Sequence, residues 1–206
     1  VKMRGKFELK GDMVYKMPVH FGGDPFYPVR TVYGDMTVLS LGFYTEEGAL
    51  LEMLPKQFDL KDPVVNIQFA ECRDVDWMSG GEYRLIQASV PVTYMGSEES
   101  LDGEYMLVIW ENKTCPIIGG REEDGMPKIY ADIAALRHNG DHWFTAASYE
   151  CNTFLRVGFD KGRALEPAEV DLMNRVPLIN CFGWRYIPKL GMGGASLSHA
   201  TLYPQE

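Results

Sequence analysis

The segment Ile117-Ile118-Gly119-Gly120-Arg121-Glu122-Glu123-Asp124-Gly125-Met126-Pro127-Lys128-Ile129-Tyr130-Ala131-Asp132-Ile133 decides how the rest of the chain is read. It reads as a flexible, charged turn between two apolar runs, with one lysine emerging directly after a proline. Pro127 locks its own φ and biases Met126 toward extended geometry, so the backbone entering Lys128 is stiff. From Lys128 onward, Ile129, Tyr130, Ala131, Asp132 and Ile133 alternate with the period of a half-buried strand. Lys128 is therefore expected at the first position of a strand, with its amine near apolar surface. An amine that loses hydration in such a place favours its neutral, nucleophilic form. The bland alternative is a solvated lysine at a strand start, which is what a lone Pro-Lys usually means.

Outward from this segment, the chain alternates short apolar runs with turn residues. Upstream, strands are predicted over Met36–Tyr44, Val64–Cys72, Tyr83–Tyr94 and Tyr105–Trp110, with Pro91 demanding an edge or a bulge. Asp74–Gly81 is a loop whose Trp77 packs on a rim or reaches a pocket. Downstream, Ile129–Leu136 and Trp143–Glu150 flank His138-Asn139-Gly140-Asp141 as a hairpin. Thr153–Phe159, Trp184–Ile187 and Ala200–Tyr203 continue the series. Two short helices are predicted, one capped by Thr45 and stopped at Pro55, the other over Glu166–Met173. Residues 1–35 carry Gly, Pro and aromatics without a period and read as an extended arm, packed by its aromatics or lent to a neighbouring subunit. Many strands and two short helices argue for an all-β barrel or sandwich.

At 206 residues, 46% of them apolar, the chain is long enough for one sizeable core, and a single domain over 1–206 is expected. A net charge of −9 argues against a nucleic-acid surface or an anionic membrane face. No apolar run is long enough to span a membrane, and Val1–Lys6 lacks the apolar run of a signal peptide. Cys72, Cys115, Cys151 and Cys181 are widely spaced, so reduced thiols and a cytoplasmic location are expected. His138 and His142 have a helical metal-ligand spacing, but the turn between them breaks it, and no metal site is expected.

Gly-Arg-Glu at 120–122, the spacer ending in Gly-Met-Pro, and Lys128 together resemble the active-site segment of the acetoacetate decarboxylase superfamily. Tyr44-Thr45-Glu46, Leu54-Pro55, Pro63, Pro91-Val92, Gly103-Glu104-Tyr105 and Ile187-Pro188 extend the resemblance over most of the chain. It implies a closed, cone-like antiparallel barrel with the lysine inside. It also implies a lyase in which Lys128 condenses with a substrate ketone as a Schiff base, with no cofactor and a small keto acid as partner. A homo-oligomer is expected on the same ground. The chain ends, near residue 206, earlier than the resemblance implies.

The surroundings depart from the pattern. The family decarboxylase has a second lysine directly after the reactive one, and here that place is Ile129. Its upstream arginine falls near Met36, and its two pocket glutamates fall near Gln68 and near Leu85, with Glu82 as the alternative to the second. Arg121 and Glu122 match the signature and are expected to pair and shape the turn, or to touch substrate. Gln68, Tyr130 and Arg30 are further candidates for substrate binding, and Met126 and Ile129 for a dry wall. Decarboxylation of a β-keto acid is the leading reaction, with weak turnover of acetoacetate itself and better turnover of a larger keto acid. Aldol condensation and dehydration of a 2-keto acid such as pyruvate is the alternative within the class. A non-catalytic barrel binding a small ligand is the alternative outside it.

Overall fold

The computed structural model describes residues 3–25, 31–173 and 179–204. In the arm, β1 (Met13–Val14) pairs with β2 (Asp24–Pro25). The main sheet begins with β3 (Tyr33–Tyr44), followed by α1 (Glu47–Met53), β4 (Phe58–Leu60) and β5 (Val64–Val75). Then come β6 (Gly81–Met95), β7 (Ser100–Glu111), α2 (Thr114–Glu122) and β8 (Lys128–Tyr130). A second sheet is built from β9 (Asp132–Ile133), β10 (Arg137–Asn139), β11 (His142–Tyr149) and β12 (Asn152–Asp160). The chain then passes through α3 (Pro167–Met173) and returns to the main sheet as β13 (Cys181–Pro188) and β14 (Ala195–Tyr203).

The main sheet has eight strands in the order β14-β13-β7-β6-β5-β3, with β4 on β6 and β8 on β7. The fold is mostly β, as the strand count predicts, and a hairpin turns at Gly140-Asp141 with Asn139 opposite His142. Its first arm is Arg137–Asn139 and not Ile129–Leu136, which is divided between β8 of the main sheet and β9 of the second. Three further predictions need correction. There are three α-helices among the described residues, not two. Thr45 does not cap α1; its backbone N–H donates to the Pro63 carbonyl at 2.9 Å, and Glu46 takes the cap position without a side-chain bond. The sheet is also not purely antiparallel, since both β8 and β13 run parallel to β7.

That parallel pairing follows from the third helix. Parallel neighbours need a long crossover, and α2 is the crossover from β7 to β8. Ile117-Ile118-Gly119-Gly120 reads as a turn because two glycines cost helix formation about 1 kcal/mol each relative to alanine. Pro116 sits in the first turn, where its missing N–H is no loss. The end of α2 is held by Glu123 N–H on the Gly119 carbonyl and Met126 N–H on the Gly120 carbonyl, both 2.8 Å. Gly125, at φ +70, turns the chain there, and any Cβ would meet Thr201 of β14.

The two faces of the main sheet differ. On one, Phe69 and Ile86 pack against Ala131, Ile133 and Ala147 of the second sheet. On the other lie Ala70, Cys72, Tyr83, Leu85 and Ile109, with Met126 packed on Ile109. At one end, Phe58 is 5% exposed, with ring centroids 4.9 Å from Tyr105 and 5.3 Å from Phe182. Truncation there removes a ring that three aromatics enclose, so Phe58→Ala is expected to cost about 3–5 kcal/mol. Urea unfolding measures it, and a loss under 1 kcal/mol contradicts a close-packed cluster. No helix among the described residues is long and apolar enough to cross a membrane.

Candidate functional site

Lys128 opens β8, as the Pro127 rule predicts, with its backbone opposite Ile109 of β7. Two residues further along β7, Glu111 pairs with Tyr130. Residues two apart on a strand share a face, so Ile109, Glu111 and Lys128 lie on the same side of the sheet. The Lys128 amine reaches Oε1 of Glu111 at 2.9 Å, and the two side chains are 17% and 0% exposed. That approach is an ion-pair distance without hydrogen-bond alignment, so both Glu111 oxygens are buried with no donor. Burial raises the Glu111 carboxyl above the ordinary range; Lys128 pulls it back and the Asp124 charge pushes it up. Asp124, on the loop between α2 and β8, is raised by burial too, against the pull of Lys128.

Gly120 of α2 sits directly over the lysine. A Cβ on Gly120 would overlap the Lys128 Cδ and Cε and stand 2.8 Å from Nζ. The glycine is therefore a groove for the lysine stem, which explains why a helix tolerates it. Beneath the pair lie Cys72 and Tyr83, both raised by burial and both sensing the Glu111 charge. The Tyr83 hydroxyl is 3.4 Å from that of Tyr33. All four cysteines are free thiols.

The remaining candidates scatter. Arg30 lies outside the described residues. Gln68 occupies the same register row as Lys128, through Gln87 and Ile109. That row puts it three strand spacings away, roughly 14 Å along the sheet. Its amide donates to the Ser40 hydroxyl at 3.1 Å and accepts from Gln87 at 3.2 Å. Arg121 and Glu122 do not pair with each other among the described residues. The Arg121 guanidinium instead donates to the Lys128 carbonyl at 2.9 Å. The Glu122 carboxylate accepts from the Met17 N–H at 3.3 Å, and its carbonyl accepts from Arg185. With Lys16 on Glu123 at 2.6 Å, the arm is latched to the end of α2. Tyr130 turns its hydroxyl to Asp132 at 2.6 Å and lines a cleft of about 340 Å³ with Asn112 and Ser148.

Ile129 is a correction. It shares a row with Phe69, Ile86 and Trp110 on the opposite face, and it is 45% exposed. It therefore cannot wall the amine; Met126, 6% exposed, and Ile109 do so. A second cleft, of about 620 Å³, lies between the arm, Arg121, Met126, Trp184 and Arg185. Lys128 lines neither cleft. His138 stacks on Trp143 and His142 bonds Asp160 at 2.8 Å, so the two histidines serve the hairpin.

Sequence reasoning missed Glu111. It ends an apolar run and precedes Asn112-Lys113, so it reads as the polar exit of a strand. Counting by twos from Ile109 would have placed it on the buried face, but only the β8 pairing brings it to the amine.

A buried amine held against a buried carboxylate can exchange a proton with it and present a neutral nucleophile to a carbonyl. Comparison with known proteins gives the chain its relatives. An acetoacetate decarboxylase of Burkholderia mallei is 30% identical over 124 residues, which is 60% of this chain and 47% of that protein. The chain spans about half the length of the curated relatives it matches. An acetoacetate decarboxylase structure from Legionella pneumophila superimposes with a TM-score of 0.73 at 21% identity, covering 97% of this chain and 76% of that one. The enduracididine biosynthesis enzyme MppR, complexed with the condensation product of pyruvate and imidazole 4-carboxaldehyde, gives 0.65 at 14% identity, covering 89% and 74%. The acetoacetate decarboxylase family model matches residues 16–206, nearly the whole chain from the arm to the last strand, and the chain belongs to that family.

Proposed function

We propose that the chain is a Schiff-base lyase acting on a small keto acid through Lys128, with decarboxylation of a β-keto acid as the leading reaction. The observation that carries this reading is the burial of the signature lysine's amine at 2.9 Å from a fully buried carboxylate. The neutral amine adds to the ketone carbon, and loss of water leaves an iminium. The iminium draws in the electrons of the breaking carbon–carbon bond, carbon dioxide departs, and an enamine remains. Protonation at carbon and hydrolysis then release the ketone and regenerate Lys128.

Arg121 and Glu122 serve this site by bracing it: one holds the Lys128 carbonyl, the other ties down the arm. Gln68 and Arg30 are retained as candidates for the substrate carboxylate. The main sheet is also read as curling into the cone that the family resemblance implies. Tyr203 on β14 is raised by burial and then by the nearness of Asp124 and of Tyr33 on β3, which supports the two ends of the sheet approaching each other. Assembly as a cytoplasmic homo-oligomer belongs to the same reading, and light scattering tests the oligomer.

A second reading has its own support. Aldol condensation and dehydration need a base beside the iminium, and Glu111 provides one where the sequence offered none. The fold shared with MppR is consistent with it. Borohydride reduction with pyruvate, acetoacetate and longer β-keto acids, followed by peptide mass mapping, tests the common step. The expected result is a reduced adduct on Lys128 alone. Label spread over surface lysines excludes both readings and leaves the ligand-binding barrel. Carbon dioxide release against unsaturated keto-acid product then separates decarboxylase from aldolase.

A further inference from the structure

We infer that Glu111 is the proton-transfer group of this site, taking a proton from the carbon next to the iminium and returning one to the enamine. The inference rests on the Lys128 reading and adds a second catalytic residue to it.

The geometry is specific. Oε1 stands 2.9 Å from Nζ, the atom that becomes the iminium nitrogen. The carbon next to the iminium carbon lies roughly 2.5 Å from that nitrogen by standard bond lengths. A carboxylate within contact of the nitrogen is thus within reach of that carbon's proton, given the usual reach of roughly 2.6–3.2 Å for a general base. Both carboxylate oxygens are buried without an aligned hydrogen-bond donor, so apart from the ion pair with Lys128 no fixed bond occupies them. Glu111 also lies directly across the strand pair from Leu85.

The step balances. The carboxylate of Glu111 takes the proton, the C–H electrons become the enamine double bond, and the iminium π pair returns to nitrogen. In decarboxylation, which consumes one proton overall, Glu111 takes that proton from solvent as carbon dioxide leaves and passes it to the enamine carbon. The groups that face Glu111 are Lys128 from β8, Asp124 from the α2–β8 loop, Cys72 from β5 and Tyr83 from β6. Of these, Lys128 becomes the iminium, Asp124 sits across from it, and the thiol and phenol are raised by burial and stay neutral.

The test follows hydrogen exchange rather than turnover. Acetone and pyruvate do not lose carbon dioxide through an enamine, so exchange of their methyl protons in heavy water reports this step alone. The wild-type protein is expected to catalyse exchange and to be trapped by borohydride on Lys128. Glu111→Gln is expected still to be trapped on Lys128 alone, at a changed rate; at the ketone concentration and time that give equal trapping, exchange falls about 100-fold or more and loses its acid-side decline. Leu85→Glu combined with Glu111→Leu is expected to recover part of the exchange, and it serves also if Glu111→Gln does not fold. Exchange by Glu111→Gln within threefold of wild type, at equal trapping, overturns the inference and leaves Lys128 standing. Likewise, no recovery in a folded, trapping-competent double variant overturns it. Failure of the wild type to be trapped overturns the Lys128 reading itself.

Discussion

Lys128→Met is expected to abolish adduct formation and turnover, and to make the protein's stability depend on pH in a new way. The first part follows from the proposed Schiff base, since Lys128 brings the only amine to Glu111 among the described residues. The second follows from Glu111, which is fully buried and has Lys128 as its only cation within ion-pair distance among the described residues. Burial already raises the Glu111 carboxyl, and Lys128 is the group that opposes the rise. A carboxyl raised in the folded state stabilises fully below its unfolded value, and that contribution is lost as pH rises through the raised value. Removing the lysine raises the carboxyl further and deepens the loss. Breaking a buried pair on one side typically costs about 3–5 kcal/mol, so that is the expected deficit at pH 8. It should shrink toward the ordinary glutamate value of about 4.3, where the folded carboxyl is protonated. Urea unfolding at pH 5 and pH 8 measures both limits. Adding Glu111→Gln to Lys128→Met should restore most of the loss at pH 8. A deficit independent of pH, or one that the second change leaves untouched, contradicts the buried pair.

Gly120→Ala separates catalysis from folding in the opposite sense. In most helices this change stabilises by up to about 1 kcal/mol, because alanine loses less backbone freedom. Here the new methyl enters the space of the Lys128 stem, which is flexible and can move aside. The fold is therefore expected to survive, at a cost at pH 8 below the roughly 3–5 kcal/mol of breaking the Lys128–Glu111 pair outright. The amine, however, is pushed from its place beside Glu111. Displacement of a catalytic group by an ångström costs roughly 100-fold in rate. The expected result is a folded protein whose borohydride trapping rate falls about 100-fold. Trapping at the wild-type rate shows that the groove does not position the lysine.

These two variants concern residues that were not equally visible. Lys128 was legible because local rules suffice: proline stiffens the approach, alternation announces a strand, and the signature around it is long. Gly120 was quoted in the same segment, yet it read as turn. Its glycine is chosen by a lysine eight residues later along the chain, and helix propensity carries no trace of that. The expectation that Ile129 lies beside the amine failed for a local reason. Alternation alone sends Ile129 to the face opposite Lys128, while Ile109 lies on the lysine's face and packs with Met126.

What the sequence alone determined was the β-rich class, a hairpin turn at Gly140, the place of Lys128 at a strand start and the family resemblance. These depend on alternation, turn chemistry and a contiguous motif, all of which are properties of neighbours along the chain. Only the tertiary structure decided that α2 exists, that β7 and β8 run parallel, and that Glu111 therefore meets Lys128. Strand pairing brings together residues whose proximity no local pattern records, and here the crossover helix sets that pairing. The carboxylate partner of Lys128 is a consequence of register, and register is settled only when the sheet assembles.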